Sequence, residues 1–373
     1  MDEIGIGLIG TGYMGKCHAL AHRNVKAVFG NVPRPRLEML CDVPADRATA
    51  MADQLGFSRS TADWRDVVND PKVDLVSITT PNGLHREIAV AALEAGKHVW
   101  CEKPMALTMD DATAMRDAAS TSGKITQLGY NYIWNPAITH AEKLIREGAI
   151  GKPTHFRIIY DEDFQADPEA PWTWRCLKKD AGLGVLGDMG CHAFSMVEVL
   201  MGLPESLMAD MQTIFPTRPK PDGGRGEVEN EDVATALMRF PGGVQGMMTM
   251  SRSAWGRKNR IEWEVHGTHG QLTFDQERLN ELRLFQSGEG ANQGFRTILM
   301  GPDHPPFGDF MPGVGHQLGF NDLKVVELRD LLHGIVNGTR PRMDFAMGYR
   351  IEEMIHGMAH SAETGSWWKP ETA

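Results

Sequence analysis

The sequence of 373 residues is poor in cysteine. Cys17, Cys41, Cys101, Cys176 and Cys191 are odd in number, and no two form a CxxC pair. This usage fits reduced cytoplasmic thiols rather than a disulfide framework. Long apolar runs are also missing: none reaches the roughly 18 residues that cross a bilayer. The opening MDEIGIGLIG carries two acids where a secretory signal has basic residues. The expectation is a cytoplasmic protein with no membrane partner. Positive charge is short as well, with 38 Lys and Arg against 49 Asp and Glu and a net charge of −11. Nucleic-acid binding through a broad basic face is therefore excluded. No internal repeat is visible. The one linker-like run, PTRPKPDGGRG (216–226), reads as a loop within a second domain.

What is present is the balance of a globular enzyme, 42% hydrophobic and 23% charged residues. At roughly 150 residues per domain, the length predicts two or three domains. Residues 4–10, 37–42, 73–80, 98–103 and 125–131 read as short strands apolar on both faces, as buried parallel strands are. Helical stretches lie between them at 13–27, 44–55, 84–95 and 108–122, with Gly56, Gly96 and Gly123 where helix C-caps belong. This alternation predicts an α/β Rossmann domain over 1–128. Residues 129–373 have another rhythm. After a helix at 135–147 come strand-like runs at 154–160, 206–215, 233–240, 244–252, 261–267, 271–275 and 281–286, with a helix at 188–201 among them. FPGGV (240–244) and GTHGQ (267–271) read as hairpin turns. Helices return at 318–337 and 345–363. The prediction is a second α/β domain with a large, mainly antiparallel open sheet, serving substrate binding and oligomerisation.

Gly10-Thr11-Gly12-Tyr13-Met14-Gly15 follows the first strand and opens the first helix. In that setting GxGxxG lets the backbone approach a pyrophosphate, and the helix N-terminus supplies N–H donors. Asp42 ends the second strand, with the run GNVPRPR (30–36) lengthening the segment before it. An acid there accepts bonds from the adenosine ribose hydroxyls and repels a 2′-phosphate, which favours NAD over NADP. Arg47 pulls the other way, since a guanidinium can hold that phosphate. An ordinary βα turn with Asp42 as a helix cap is the plain structural alternative.

Glu102-Lys103-Pro104 closes the strand at 98–103, on the side where open α/β sheets bind ligands. Lys103 there can polarise a substrate oxygen and stabilise an alkoxide. Glu102 can fix the lysine or contact the cofactor. Asp188 and His192 are spaced to share one helix face, and histidine is a natural acid or base near neutral pH. The glycines at 182, 184 and 187 suggest backbone passing close to a ligand.

The ordered set Gly10-x-Gly12-x-x-Gly15, Glu102-Lys103-Pro104 and Gly187-Asp188-x-Gly190-x-His192 resembles the Gfo/Idh/MocA (glucose–fructose oxidoreductase / inositol dehydrogenase) family over essentially the whole chain. The resemblance implies NAD(P)-dependent oxidation or reduction of a sugar or polyol carbon, with Lys103, Asp188 and His192 as the catalytic group. It also implies a homodimer or homotetramer built on the C-terminal sheet. It extends the cofactor contacts to Thr80, Pro81, Asn82, His85, Asn131, Trp174 and Arg175. It puts Tyr13, Asn131, Tyr132, Gln165 and Arg175 on the substrate beside the catalytic group. QADPEAPWTWR (165–175) and GRKNRIEWEVHGTHGQLTFDQERLNEL (256–282) are similar to a subgroup acting on pyranosides and anhydrosugars, the levoglucosan and glycoside 3-dehydrogenases. That subgroup suggests C3 of a pyranoside as the carbon oxidised. Trp172 fits core packing and a ligand site equally.

No metal site is expected. His266 and His269 lie across a turn, and His356 and His360 have no carboxylate to complete a zinc site. Met247, Met248 and Met250 read as core. Three functions remain: a sugar or polyol dehydrogenase, a redox-neutral glycoside-cleaving enzyme working through a 3-keto intermediate, and a non-catalytic dinucleotide sensor.

Overall fold

The computed structural model describes residues 2–371. The chain forms two compact units. One holds Met1–Asn131 and Gly319–Glu352, the other Tyr132–Leu318 and Glu353–Ala373.

The first unit is built on six parallel strands. Across the sheet they run Arg59–Thr61, Arg34–Cys41, Glu3–Ile9, Leu75–Ile78, His98–Cys101 and Thr126–Leu128. The order turns back at Glu3–Ile9, which is the dinucleotide-type switch point. Ile4, Ile6 and Leu8 are fully buried, as expected of a strand covered on both faces. The covering helices Tyr13–Val28, Ala45–Leu55, His85–Glu94 and Met109–Ser122 stand where the apolar periodicity puts them. The edge strand Arg59–Thr61 and the helix Trp64–Asn69 were not foreseen. They are too short to show a period. The helix is fixed by its cap, the Asp63 carboxylate accepting the Arg65 N–H at 3.0 Å.

The expectation of a contiguous second domain over 129–373 is corrected by the segment 319–352, which joins the first unit. The reason lies in the helix Phe320–Asn337. Lys324, Glu327, Leu328 and Leu331 are spaced as one helical stripe, and all four are buried. Two of them are ionisable, and their partners belong to the first unit.

The second unit carries an eight-stranded sheet. Its order is Arg296–Leu299, Glu281–Gln286, Gly270–Asp275, Arg260–Gly267, Pro153–Asp161, Gln245–Ser251, Val233–Arg239 and Ser206–Gln212. Every neighbouring pair is antiparallel except Pro153–Asp161 with Gln245–Ser251. FPGGV and GTHGQ join antiparallel neighbours, as their glycines suggested. One face is core: Phe156, Ile158, Met248, Met250, Trp263 and Val265 are buried. Met247 is corrected to the opposite, half-exposed face, because side chains alternate along a strand.

Three further departures are local. The 216–226 run is a two-stranded ribbon, Thr217–Pro219 with Arg225–Glu227, rather than a loop. Trp172 packs on it: the indole N–H donates to the Glu227 carbonyl at 2.8 Å, and Lys220 stands 5.3 Å over the ring. That favours the packing role for Trp172. The helix expected at 188–201 opens with a π-helical turn, Leu186–Gly190, before Cys191–Met201. The stretch Lys178–Met201 is long and apolar enough to cross a membrane, but 83% of its most apolar window is buried inside the protein.

Candidate active site

The glycine loop is shaped by close approach. Gly10 has φ +95°, and a Cβ there would lie 2.7 Å from the Thr79 carbonyl oxygen. A Cβ on Gly15 would lie 2.2 Å from the Gly10 oxygen. At Gly12 a Cβ would meet nothing within 4 Å, so the loop is open on that side. The helix Tyr13–Val28 starts at Gly12 with no side-chain cap. An open cradle at an uncapped helix N-terminus fits a dinucleotide pyrophosphate. Tyr13 is 68% exposed and lies against Phe320, ring centroids 5.7 Å apart.

Asp42 stands beside this loop. Its Oδ2 accepts the Thr11 N–H at 2.9 Å, bonds the Thr11 hydroxyl and pairs with Arg47 at 3.2 Å. The cation that could hold a 2′-phosphate is thus already engaged by the acid that would repel one. Thr80 and Asn131 each bury a polar atom, Oγ1 and Nδ2, with no hydrogen-bond partner. Both atoms are free to meet a cofactor amide or hydroxyl. Pro81 is exposed and Asn82 opens the short helix Asn82–Leu84.

His85 departs from its expected cofactor contact. The ring is buried, with Nδ1 at 2.9 Å from the Pro104 oxygen and Nε2 at 3.1 Å from the Thr80 oxygen. It clamps the Lys103-Pro104 turn from behind.

Glu102 departs in the same way. Its carboxylate points into the unit, where Oε1 accepts from Lys324 at 2.5 Å and from His18 at 2.9 Å. Oε2 accepts the Lys103 N–H at 3.3 Å. Burial alone would raise this acid, but the Lys324 charge and the His18 bond outweigh it and hold Glu102 well below the usual carboxylate range. Glu327 shares Lys324 at 3.4 Å and takes the Trp100 indole N–H at 2.5 Å. Burial, with the Glu102 charge nearby, pushes Glu327 up to about 8. Two buried carboxylates on one ammonium cannot both ionise cheaply, and the environment decides that Glu102 keeps the charge.

In the second unit Asp188 lies in the π-helical turn and His192 in the following helix. A π-turn is wider than an α-turn, so the pair straddles a change of helical winding; Tyr160 lies near both residues, its ring 6.4 Å from His192 and its phenol within the field of Asp188. His192 is buried between aromatic rings, 4.5 Å from Tyr132 and 6.4 Å from Tyr160. The Tyr132 hydroxyl accepts from Asn259 at 2.9 Å. Burial, then the neighbouring Tyr132, Glu162 and Asp188, drive the Tyr160 phenol well above its usual value. Gln165 buries an Oε1 with no partner, while its backbone oxygen accepts from Arg218 at 2.7 Å. Trp174 and Arg175 stack on each other at 4.5 Å, with the guanidinium exposed.

Of the glycines before Asp188, Gly184 is required by packing. A Cβ on Gly184 would lie 2.2 Å from the Glu231 oxygen. Glu231 accepts the Val185 N–H at 3.0 Å on its backbone and the Leu186 N–H at 2.9 Å on its carboxylate. Beside it Arg252 donates to Asp232 at 2.8 Å and to Asn230 at 2.9 Å, and Asn230 holds the Arg175 carbonyl at 2.8 Å. The run Asn230-Glu231-Asp232 therefore ties down both the Asp188 turn and Arg175. Among the described residues no cluster of three or more His, Cys, Asp or Glu could hold a metal ion.

Residues 4–130 match the model of an oxidoreductase family with an NAD-binding Rossmann fold, and residues 138–273 match the GFO/IDH/MocA C-terminal domain. This chain belongs to the Gfo/Idh/MocA family. It is similar to levoglucosan dehydrogenase from Pseudarthrobacter phenanthrenivorans, at 37% identity over 98% of both chains. It is also similar to myo-inositol 2-dehydrogenase from Thermotoga maritima, at 30% identity over 79% of this chain and 81% of that one. A solved levoglucosan dehydrogenase in complex with NADH and L-sorbose superposes with a TM-score of 0.96, 37% identity and 99% coverage of both chains. An inositol dehydrogenase homolog complexed with NAD+ from Azotobacter vinelandii gives 0.83 at 25% identity, covering 99% of this chain and 97% of that one. The sequence motifs thus identified this Gfo/Idh/MocA member correctly.

The sequence reading missed His18, Trp100, Lys324 and Glu327. The signal was available in part: Lys324 and Glu327 fall on the apolar stripe of their helix, where a charge needs a buried partner.

Glu327 carries a pH signature. Its proton is kept to about pH 8 in the folded protein but lost at ordinary carboxyl values when unfolded. The stability this confers is complete below the unfolded value and drains away as pH rises through the folded one. Thermal unfolding should therefore show a melting temperature that declines from about pH 5 to pH 8, less steeply in Glu327→Gln. Equal slopes in variant and parent would show that Glu327 is not protonated in the native state.

Proposed function

We propose that this Gfo/Idh/MocA member is an NAD-dependent dehydrogenase of a secondary hydroxyl on a sugar, anhydrosugar or polyol, with C3 of a pyranoside as the carbon oxidised. The observation that carries this reading is the likeness to levoglucosan dehydrogenase over nearly the full length of both chains. The glycine cradle, with Asp42 beside it, supports NAD as the cofactor. When bound, NAD supplies the hydride acceptor at nicotinamide C4.

The chain's own residues supply the rest. His192 Nε2 or Nδ1 takes the proton of the reacting hydroxyl as general base. The buried rings of Tyr132 and Tyr160 hold the imidazole in place for that transfer. Asp188 orients the sugar or the histidine. Lys103 places its ammonium where the alkoxide charge develops. Gln165 Oε1 and Asn131 Nδ2, buried and unpartnered, are an acceptor and a donor for substrate or cofactor polar groups. Arg175, exposed with its backbone pinned by Asn230, offers a second donor.

Lys103→Met and His192→Ala test the assignment. On the sugar that gives NADH in a substrate panel, stopped-flow hydride transfer should fall by about 10² or more for Lys103→Met. It should fall by about 10²–10⁴ for His192→Ala, with loss of an ionisation near neutral pH. Parent rates in either variant would remove that residue from the chemistry. No NADH from any sugar, together with cleavage of a glycoside, would favour the redox-neutral alternative.

The Arg47–Asp42 pairing predicts that NAD⁺ binds more tightly than NADP⁺ in calorimetric titrations. Tighter NADP⁺ binding would mean that Arg47 leaves Asp42 for the 2′-phosphate.

The outer face of the large sheet carries Ile159, Leu237 and Met247, and Leu237 is 52% exposed. We read it as the contact of a homodimer or homotetramer, since such a face in a dissolved protein needs a cover. Light scattering at micromolar concentration should give a mass of two or four chains, and a monomer would reject this.

A further inference from the structure

Three elements of the first unit converge on one carboxylate. Glu102 ends the strand His98–Cys101, His18 stands on the helix that opens at the glycine loop, and Lys324 stands on Phe320–Asn337. Oε1 takes the two side-chain donors and Oε2 takes the Lys103 N–H. The surroundings are neutral. On the glycine helix, burial pushes His18 down to about 4, drives His22 well below its usual value and raises the Cys17 thiol. On the strand, burial raises Cys101 well above its usual value, and on the C-terminal helix it pushes Glu327 up to about 8. Near neutral pH the facing groups therefore leave one ion pair, Glu102 with Lys324. Because His18 is neutral and Glu102 is an acceptor only, Nε2–H must donate, which fixes the imidazole tautomer. Its Nδ1 is buried without a partner, so the ring is committed to this one bond.

A buried ion pair is weak evidence for stability, because apolar side chains of similar volume often do as well. The same helical stripe uses Leu328 and Leu331 for that purpose. The charge at Lys324 needs another reason, and the Lys103 turn provides it. We infer that Lys324 is a positioning residue for hydride transfer: its ammonium keeps Glu102 ionised and turned inward, and Glu102 then fastens the Lys103 turn to the helix that carries the glycine loop. The inference rests on the assignment of Lys103 to the chemistry.

The test compares the parent, Lys324→Met, and Lys324→Met with Glu102→Gln. The double variant removes both charges at similar volume and should melt near the parent temperature. Its Lys103 amide should exchange with deuterium faster in the apoprotein, because a carboxamide is a weaker acceptor than a carboxylate. Turnover should fall by about 10–10²-fold, the scale of a misplaced group, with the sugar KM little changed and the pH profile shifted. Should the double variant not fold, Glu102→Gln alone carries the same readouts. Glu327→Gln is the control, since Glu327 touches Lys324 and Trp100 but not Glu102; it should keep parent turnover and parent exchange at Lys103. A folded double variant with parent exchange, turnover and pH profile would overturn the inference, as would a Glu327→Gln loss equal to that of Lys324→Met. Lys103→Met separates the two readings. If it is slow while the double variant is not, only the positioning role fails. If it turns over at the parent rate, the Lys103 assignment fails and the positioning role with it, while amide exchange still reports whether Lys324 fixes the turn.

Discussion

One buried ion pair orders the groups around the Lys103 turn of the first unit. Glu102 and Lys324 lie far apart in sequence, and each would be costly to bury alone. Once paired, they settle several features together. The segment Gly319–Glu352 packs into the dinucleotide-binding unit, where its buried ammonium meets the Glu102 carboxylate. Glu327 keeps its proton because it is buried beside the Glu102 charge. His18 must donate from Nε2, because the acceptor has no proton to give. The Lys103 N–H is then drawn to the remaining oxygen of the same carboxylate.

The second unit solves a like problem with a different charge. Arg252 and Asp232 are buried together, and around them Asn230 and Glu231 present acceptors and donors to backbone that would otherwise be loose. The π-helical turn that holds Asp188 is stitched at its first residue, Leu186, and the residue before it, Val185. A π-turn leaves backbone groups poorly paired and recurs at functional sites. Here its cost is offset by a buried glutamate that burial pushes up and the Gly184 and Leu186 N–H groups pull back down.

What the sequence revealed followed from periodicity and local chemistry. The parallel strands and long helices of the first 128 residues stand within a few positions of their expected places, since each carries a clear apolar period. The glycine loop was legible because strand, loop and helix are contiguous. The outcome at Glu102 and His85 was not legible. Both sit in motif positions that suggested the cofactor, and both turn inward because a partner distant in the chain, or a carbonyl across a turn, claims them. The π-turn escaped for another reason: one extra residue per turn changes no residue type, so nothing in the sequence marks it. Met247 was misplaced because three methionines were read as a composition instead of an alternation.

Charged residues on apolar stripes therefore carry information that motif reading discards. Lys324 and Glu327 occupy core positions of a helix whose neighbours are Leu328 and Leu331. A lone charge there would be expelled or neutralised, so its presence implies a counter-charge delivered by another element. In this chain the available buried counter-charge is the glutamate of the Glu102-Lys103-Pro104 motif. The stripe thus points from the far end of the sequence to the strand end where the lysine stands, a link that neither segment reveals by itself. The same logic applies to Arg252 and Asp232, which are buried together and paired at 2.8 Å. Motifs mark the groups that meet ligands, and misplaced charges mark the groups that hold those motifs still.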